Sequence, residues 1–434
     1  GYLLNPKSEI PIPKSENLLS HLPTMILLFG VTLALSLGLT PLVRWAALRL
    51  GWVDRPGEAR RVHKSPVPRL GGLAIYAAFA VGVLLTFVFP LRGPYDPGDN
   101  ARFEGGRVLL MLFGAGLIAL VMAIDDVRGL KPLPRLIWQL GVAFLIVVPS
   151  LLVPGGPNCT ANGCEPAGTA HYDQGAGVLA TSIQNPLRGM ALPFLGGDPL
   201  GNAINLALPL AVLFTVIWIA GVTNTINWID GLDGLAAGVT VVACLVLFVL
   251  TVSVGQVTLA YVPLLLAAAV LGFLPYNIHP ARIFMGDSGA MFLGFTLAII
   301  SLIGGAKLAA ALLVLGIPLL DSFYMIVYRL MRGRSPVSAD RGHLHHRLHD
   351  MGLSHGQVMV IYMVLCGTFG LVGMINSEGT FVSPLVKLLV MVVMALVLAA
   401  IAVYISRRRF DREGTASDTA TRASRGVQAS TPDH

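Results

Sequence analysis

The chain has 434 residues, of which 55% are hydrophobic and only 12% are charged, whereas soluble domains carry about a quarter charged residues. This composition, with a mean hydropathy of +0.73, excludes an ordinary soluble protein and predicts an all-α polytopic membrane protein. The net charge of +7 does not indicate nucleic-acid binding, because the basic residues lie in loops between apolar segments. Anionic lipid headgroups and a phosphorylated substrate are the expected partners.

About eleven apolar segments of roughly 18 to 25 residues are long enough to cross a bilayer. In chain order they are residues 23–46, 71–91, 107–124, 136–153, 204–223, 234–254, 257–276, 289–304, 307–328, 357–375 and 384–405. They define an integral membrane core at residues 23–406. We expect a flexible N-terminal arm at residues 1–22, which lacks the apolar stretch of a signal peptide, and a basic, then disordered tail at residues 407–434.

The charge of the loops predicts the orientation of the chain in the membrane. The loop at residues 50–70 carries five basic residues, and the tail begins with three consecutive arginines from Arg407, whereas the loop at residues 154–203 carries only Arg188. Basic loops remain in the cytoplasm. We therefore expect the N-terminus outside, the C-terminus in the cytoplasm and the long 154–203 loop outside.

The four cysteines give little indication of catalysis. Cys244 and Cys366 lie inside apolar segments, where cysteine packs as a small hydrophobic residue. Cys159 and Cys164 lie in the predicted outer loop, where an oxidising compartment permits a disulfide. Their spacing is equally compatible with two free thiols.

The candidate functional residues lie in the polar loops. A carboxylate near hydrocarbon costs several kcal/mol, so Asp230 and Asp233, which follow the fifth apolar segment, indicate a functional site, and their spacing places both on one helical face. The third segment ends in Asp125 and Asp126. The seventh leads into FLPYNIHPARIFMGDSG at residues 273–289 and the ninth into RLMRGRSPVSADRGHLHHRL at 329–348. In the predicted topology, these segments and the 50–70 loop share the cytoplasmic face.

Carboxylates and amides gathered with Arg, Lys and His favour phosphoryl transfer assisted by magnesium. The sequence contains no GxxxxGK[ST] loop, which excludes ATP-driven transport by such a loop. An ion or anion transporter with polar half-helix ends and a non-enzymatic scaffold are the competing classes. Asp321, inside the ninth segment, is either a relay group or a structural acid, and we favour the structural role.

Five motifs together resemble the polyprenyl-phosphate N-acetylhexosamine-1-phosphate transferases, glycosyltransferase family 4. They are DRPGEARRVHKSPVPRLGG at residues 54–72, DD at 125–126, NWIDGLDGL at 227–235, PARIFMGDSG at 280–289 and DRGHLHHRL at 340–348. The resemblance covers roughly residues 23–406. The HLHH spelling is similar to the WecA and TagO-like branch rather than to the contiguous three histidines of the related MraY branch.

The resemblance implies transfer of a HexNAc-1-phosphate, most simply GlcNAc-1-phosphate, from a UDP-amino sugar to polyprenyl phosphate, undecaprenyl phosphate in bacteria. UMP leaves, and the lipid-linked sugar diphosphate initiates a cell-envelope glycan such as lipopolysaccharide or teichoic acid. The implied cofactor is Mg²⁺, with Mn²⁺ as an alternative, and the implied location is the bacterial plasma membrane, with the active site on the cytoplasmic face. A homodimer is left open. A phospho-MurNAc-pentapeptide transferase of the same family is the alternative enzyme.

The resemblance also implies residue roles. Asn227 and Asp287 would hold the metal. The implied catalytic residues are Asp125, Asp126, Asp287 and His343. The implied substrate-binding residues are Lys131, Arg135, Asn224, Asn227, Asp230, Asp233, Asn277, Arg282, Arg341, His345 and His346. Among these, Asp230 and Asp233 would shape the nucleotide pocket, and Arg341 and the histidines would hold the sugar phosphate. The chain departs from the family at Leu133, where a basic residue is usual; Arg135 matches the second basic position, and Lys131 is a candidate substitute for the first.

Overall fold

A computed structural model gives the fold of most of the predicted membrane core. The structure describes residues 15–54, 67–88, 104–152, 159–160, 163–164, 178–180, 182–184, 203–205, 207–253, 256–303, 308–335 and 342–375.

The described chain is built from twelve helices and three short strand pairs. The helices are α1 (Ser15–Leu50), α2 (Gly71–Val88), α3 (Glu104–Arg128), α4 (Pro132–Leu152), α5 (Leu208–Ile229), α6 (Leu235–Ser253), α7 (Val257–Asn277), α8 (Gly286–Leu302), α9 (Leu308–Val314), α10 (Gly316–Met331), α11 (Leu344–Asp350) and α12 (His355–Ile375). The strands are β1 (Val53–Asp54), β2 (Val67–Pro68), β3 (Cys159–Thr160), β4 (Gly163–Cys164), β5 (Ser182–Gln184) and β6 (Ala203–Asn205), paired antiparallel in that order.

Within the described residues, eight helices, α1 to α7 and α12, are long and apolar enough to cross a membrane. This confirms the prediction of a helical, multi-pass membrane protein. Helix α1 begins at Ser15 rather than near residue 23, so the predicted arm is helical from that residue. The eleventh predicted segment, residues 384–405, lies outside the described residues, as does the 407–434 tail, and the orientation stays a prediction.

The ninth predicted segment, residues 307–328, is not one continuous helix. It divides at Leu315 into α9 and α10. Gly316 begins α10 and Pro318 lies in its first turn, where the missing proline N–H is tolerated, whereas the same proline inside a longer helix would remove a hydrogen bond. The apolar pattern does not mark this break, because apolar residues continue on both sides of Leu315.

Helix α8 lies at the centre of the fold. It packs against α2, α3 and α5, and all its residues from Ser288 to Leu302 are buried. Large apolar side chains such as Ile26, Leu120 and Phe323 remain exposed on the surrounding helices, as expected for surfaces that face hydrocarbon. A helix covered on every side by other helices needs no such lipid-facing surface.

Two loops meet at the start of α8. The Phe284 N–H donates to the Pro68 carbonyl at 2.9 Å, and the Gly72 N–H at the start of α2 donates to the Met285 carbonyl at 2.8 Å. The chain that follows β2 is therefore hydrogen-bonded to the segment before α8. This contact brings the described end of the 54–72 motif to the GDSG motif.

Two cysteines lie in helices and two lie in a short strand pair. Cys244 and Cys366 are buried and free, as predicted for packing residues. The β3–β4 register places Cys159 opposite Cys164. Directly opposed residues of an antiparallel pair have Cα atoms roughly 4.5 to 5.5 Å apart, within the range that a disulfide requires.

Candidate active site

The two predicted metal-binding residues are in direct contact. Asn227 lies in the last turn of α5 and Asp287 in the first turn of α8. The Asn227 Nδ2 donates to Asp287 Oδ1 at 2.7 Å. The amide oxygen of Asn227 takes no part in this bond. The contact joins the NWIDGLDGL and PARIFMGDSG motifs at one end of the helices.

Arg135 connects this pair to the DD motif. It lies in the first turn of α4, and its Nη2 is 2.8 Å from Asp287 Oδ2 while its Nε is 3.1 Å from Asp125 Oδ2. The other Asp125 oxygen accepts a hydrogen bond from the Leu130 N–H, just beyond the end of α3. One guanidinium thus bridges two carboxylates from different helices, which matches its forked geometry.

Asp126 holds the N-terminus of α8. Its Oδ1 accepts from the Asp287 N–H at 2.8 Å and its Oδ2 from the Ser288 N–H at 3.1 Å. These are the contacts of an N-terminal cap supplied by another helix, where negative charge is favourable. Gly286 makes the approach feasible, because its φ is +72° and an added Cβ would lie 2.4 Å from Asp126 Oδ2. The predicted catalytic role of Asp126 stays a prediction.

Asp230 adds a further carboxylate at the end of α5. Burial, and then the neighbouring carboxylates of Asp287, Asp126 and Asp233, raise its pKa well above the usual range, while Arg69 opposes this shift. Arg69 is itself held by Asp54 at 2.6 Å. Carboxylates this crowded repel one another, and a bound cation would relieve the repulsion.

Asn227 and Asp287 fit a magnesium ion. Mg²⁺ prefers carboxylate and amide oxygens and keeps one or two protein ligands, with water and phosphate oxygens completing its coordination. The asparagine amide oxygen and the Asp287 carboxylate supply that donor set. The concentration of negative charge around Asp287 supplies the electrostatic attraction.

Asp233 is engaged by a second group of side chains. His279 Nδ1 lies 2.7 Å from Asp233 Oδ2, the Ala281 N–H donates to the same oxygen at 3.2 Å, and His355 Nδ1 lies 3.6 Å away. Burial alone would raise the pKa of Asp233, but the two imidazoles and the N–H outweigh it and lower this pKa. We refer to Asp233, His279 and His355 as the Asp233 cluster.

His343 is oriented by a buried acid. Asp321 Oδ2 lies 2.9 Å from His343 Nδ1, and Asp321 Oδ1 accepts from the Leu344 N–H at 2.9 Å. Arg329 Nη2 lies 3.5 Å from the other nitrogen, His343 Nε2. These contacts support the structural role favoured for Asp321 and tie α10 to the start of α11.

The next two histidines of the HLHH motif pack against the DGLDGL turn. An added Cβ on Gly231 would lie 2.4 Å from His345 Nε2 and 3.1 Å from His346 Nε2, so the glycine permits this close approach. Burial, followed by the neighbouring His346 and His343, lowers the pKa of His345 well below its ordinary value. The shift favours the neutral imidazole of His345, which acts by hydrogen bonding rather than by charge.

The other predicted substrate-binding residues are spread more widely. Asn224 lies one turn before Asn227, and its Nδ2 donates to Gln139 Oε1 at 2.7 Å. Asn277 is buried, accepts from the Gly234 N–H at 3.1 Å and donates to the Ile283 carbonyl at 3.1 Å, so its amide braces two backbone segments. The Lys131 and Arg282 side chains are exposed. Arg341 lies outside the described residues.

Three residues at the site had no individual role in the sequence-based prediction. Gln139 contacts Asn224, Arg69 lies near Asp230, and His355 lies beside Asp233. Arg69 belongs to the 54–72 motif, but the sequence identifies it only as a basic loop residue. A glutamine within an apolar helix was a usable signal. The sequence gives no comparable signal for His355, because a single histidine after a polar loop is common and does not by itself indicate a site.

We expect Asp321→Asn to lower kcat about tenfold or more while the protein stays folded. An asparagine presents one acceptor oxygen, so it cannot serve both the His343 ring and the Leu344 N–H as Asp321 does, and loss of an orienting partner typically costs 10–100-fold. The measurement is kcat and KM well below the unfolding temperature. The control is Ser322→Ala, because the adjacent Ser322 hydroxyl is buried without a hydrogen-bond partner in the described structure. Equal effects of the two variants would contradict the orienting role.

Comparison with known proteins identifies the family of this chain. Residues 108–305 match glycosyl transferase family 4. The chain is 33% identical over 348 residues to a probable undecaprenyl-phosphate N-acetylglucosaminyl 1-phosphate transferase of Bacillus subtilis, covering 78% of this chain and 82% of that protein. It is 35% identical to a decaprenyl-phosphate N-acetylglucosaminephosphotransferase of Mycolicibacterium smegmatis, covering 74% of each.

A relative from a different branch is less similar. The chain is 25% identical over 332 residues to a phospho-N-acetylmuramoyl-pentapeptide-transferase of Staphylococcus aureus, covering 74% of this chain and 88% of that protein. The chain therefore belongs to glycosyl transferase family 4 and is a multi-pass membrane enzyme of the phospho-sugar transferase type.

Proposed function

We propose that this enzyme transfers GlcNAc-1-phosphate from UDP-GlcNAc to a polyprenyl phosphate. The observation that carries the proposal is the link from Asn227 through Asp287 to Arg135 and Asp125, which brings the motifs of α3, α4, α5 and α8 together at one end of the helices. The names of the two relatives above 30% identity supply the substrate class. The HLHH spelling at residues 343–346 favours the simpler amino sugar over a muramoyl-pentapeptide substrate.

In the proposed reaction, an oxygen of the lipid phosphate attacks the sugar-linked phosphorus of UDP-GlcNAc. A new P–O bond forms, the bond from that phosphorus to the bridging oxygen breaks, and UMP leaves with the bridging oxygen. The lipid keeps the sugar on a diphosphate. A phosphate monoester with a second pKa of about 6 is largely dianionic at neutral pH, so the attacking oxygen needs little help from a base.

Individual side chains have separate roles in the proposed reaction. Asn227 and Asp287 would hold magnesium, which supplies charge neutralisation to the diphosphate when bound. Arg135 stabilises negative charge on the transferring phosphoryl group, as guanidinium groups do in other phosphoryl transfers. Asp125 holds Arg135 in place at 3.1 Å. His345 and His346, packed on the DGLDGL turn, line the side where the sugar phosphate would bind.

The assay uses purified protein in detergent with radiolabelled UDP-GlcNAc, undecaprenyl phosphate and MgCl₂. We expect UMP release and a lipid-linked radioactive product, both abolished by EDTA and restored by Mg²⁺ or Mn²⁺. Parallel reactions with UDP-GalNAc and UDP-MurNAc-pentapeptide show which sugar the enzyme accepts. No turnover with any UDP-amino sugar would disprove the transferase proposal, and would leave a transporter or a scaffold as the function.

We further propose that the site faces the cytoplasm, with the N-terminus outside. A cysteine introduced at position 180 should react with an impermeant maleimide on intact cells, whereas one at position 340 should react only after permeabilisation, because the positive-inside rule places the basic loops in the cytoplasm. Both variants are built on a background that lacks the four native cysteines. Labelling in the opposite order would invert the proposed topology.

A further inference from the structure

We propose that the Asp233 cluster is a binding site for a transition-metal ion of the zinc class, distinct from the proposed magnesium position. Asp233 lies in the turn between α5 and α6, His279 in the loop between α7 and α8, and His355 is the first residue of α12. Their candidate ligand atoms all lie within 4.8 Å of one another. The proposal concerns binding alone and does not depend on the transferase activity.

The spacing of the donor atoms suits a tetrahedral ion. Bonds of about 2.0 to 2.1 Å to Zn²⁺ place tetrahedral ligands roughly 3.3 Å apart. Asp233 Oδ2 lies 2.7 Å from His279 Nδ1 and 3.6 Å from His355 Nδ1. The first distance is shorter than the tetrahedral separation and the second is longer. The third pair of donors, on His279 and His355, also lies within 4.8 Å, so rotation of the two imidazoles towards a common centre would bring all three donors to coordinating positions.

The identity of the donors selects the class of metal. Two imidazole nitrogens and one carboxylate oxygen suit Zn²⁺, Co²⁺ or Ni²⁺, whereas Mg²⁺ favours oxygen donors. The Asn227 and Asp287 pair offers an amide and a carboxylate and so has the opposite preference. The two positions would therefore be filled by different ions when both metals are present.

His355 provides a second and independent observation. Its side chain is only 8% exposed, and within the described structure no acceptor or donor lies within hydrogen-bond distance of Nδ1, whose ion-pair partner Asp233 Oδ2 is 3.6 Å away. A buried polar atom left without a hydrogen bond costs about 1 to 3 kcal/mol, and such atoms call for a specific explanation. This nitrogen faces Asp233 Oδ2 at a separation that is long for a hydrogen bond but suitable for two ligands of one ion.

The surroundings of the cluster also fit a metal site. The Ala281 N–H donates to the coordinating oxygen of Asp233 at 3.2 Å, the kind of supporting contact that orients a ligand. The His279 side chain is 53% exposed, which gives an ion a path from solvent. A bound ion would cross-link the DGLDGL turn, the α7–α8 loop and the start of α12.

The test measures Zn²⁺ binding to tag-free, full-length protein in detergent with saturating Mg²⁺ and no nucleotide sugar, by isothermal titration calorimetry and by competition with a chromophoric chelator. We expect one Zn²⁺ per chain, an affinity that rises with pH because the ligands must lose protons, and an affinity at least about tenfold weaker in His355→Gln and His279→Gln. The matched control is His21→Gln, which removes a distant histidine that contacts Tyr261.

A spectroscopic measurement separates coordination from a structural ion pair. Co²⁺ substituted into the wild-type protein should give the absorption bands of a tetrahedral nitrogen and oxygen site, and these bands should be absent in His279→Gln. Because His279 is exposed, this variant is expected to fold. Zinc binding that is equal in wild type, His279→Gln and His355→Gln, or that is absent in the wild type, would overturn the metal site. Neither outcome affects the transferase assay, so failure of the two proposals is distinguishable.

Discussion

Replacing Asp287 by alanine is expected to reduce turnover by at least about a thousandfold and to leave the protein folded. A single well-placed electrostatic group is worth about 10² to 10³ in kcat, and Asp287 is one of two proposed magnesium ligands as well as a partner of Arg135. The α8 backbone does not rely on this side chain, because Asp126 caps the helix through N–H groups. The measurement is kcat as a function of magnesium concentration, with size-exclusion chromatography in detergent as the folding check.

A matched control for this variant is Asp350→Asn, which alters an exposed carboxylate at the end of α11. We expect near wild-type activity from it. If Asp287→Ala regained full turnover at saturating magnesium, Asp287 would be removed from the proposed metal site. If the variant were inactive but bound magnesium normally, its role would lie in holding Arg135.

Replacing Arg135 by alanine is expected to lower kcat by about 10² to 10³, whereas Lys131→Ala changes it less than about threefold. Arg135 bridges Asp125 and Asp287, so its loss leaves two carboxylates without their shared counter-ion. Lys131 is exposed and belongs to the loop before α4. The pair of variants decides which cation serves the phosphoryl group in a chain where Leu133 stands at the usual basic position.

Arg135→Lys refines the same test. An ammonium group is a point charge and cannot reproduce a forked contact with two carboxylates, so this variant should recover less than about a tenth of the wild-type kcat. Steady-state kinetics at saturating UDP-GlcNAc and lipid phosphate measures the effect. Full recovery by lysine would show that charge alone is needed, and a larger effect of Lys131→Ala than of Arg135→Ala would reverse the assignment.

The sequence predicted the parts of the site that depend on local patterns. Apolar segments located the helices, because a polypeptide that crosses hydrocarbon must satisfy its backbone within each helix. Polar residues at segment ends pointed to Asp125, Asp230 and Asp287, because such residues are costly there without a function, and the family resemblance added Asn227. In the structure, Asn227 contacts Asp287 directly, and Arg135 joins Asp287 to Asp125.

Roles that depend on tertiary geometry could not be predicted in the same way. Adjacent aspartates look alike in a sequence, yet Asp125 pairs with Arg135 while Asp126 caps α8. The contact between His355 and Asp233 joins residues far apart in the chain, and nothing in the spacing of the two indicates it. Hydropathy also could not divide α9 from α10, since it measures composition rather than hydrogen bonding.

The burial of α8 on every face has a consequence for how the enzyme responds to its lipid environment. Helices that touch lipid tilt or shift when bilayer thickness changes, but α8 is surrounded by protein from Ser288 to Leu302, and its first turn is fastened to α3 through Asp126. The depth of Asp287 is therefore set by neighbouring helices and not by acyl-chain length. Membranes of different thickness would alter how the lipid substrate reaches the site while leaving the charged centre itself unchanged.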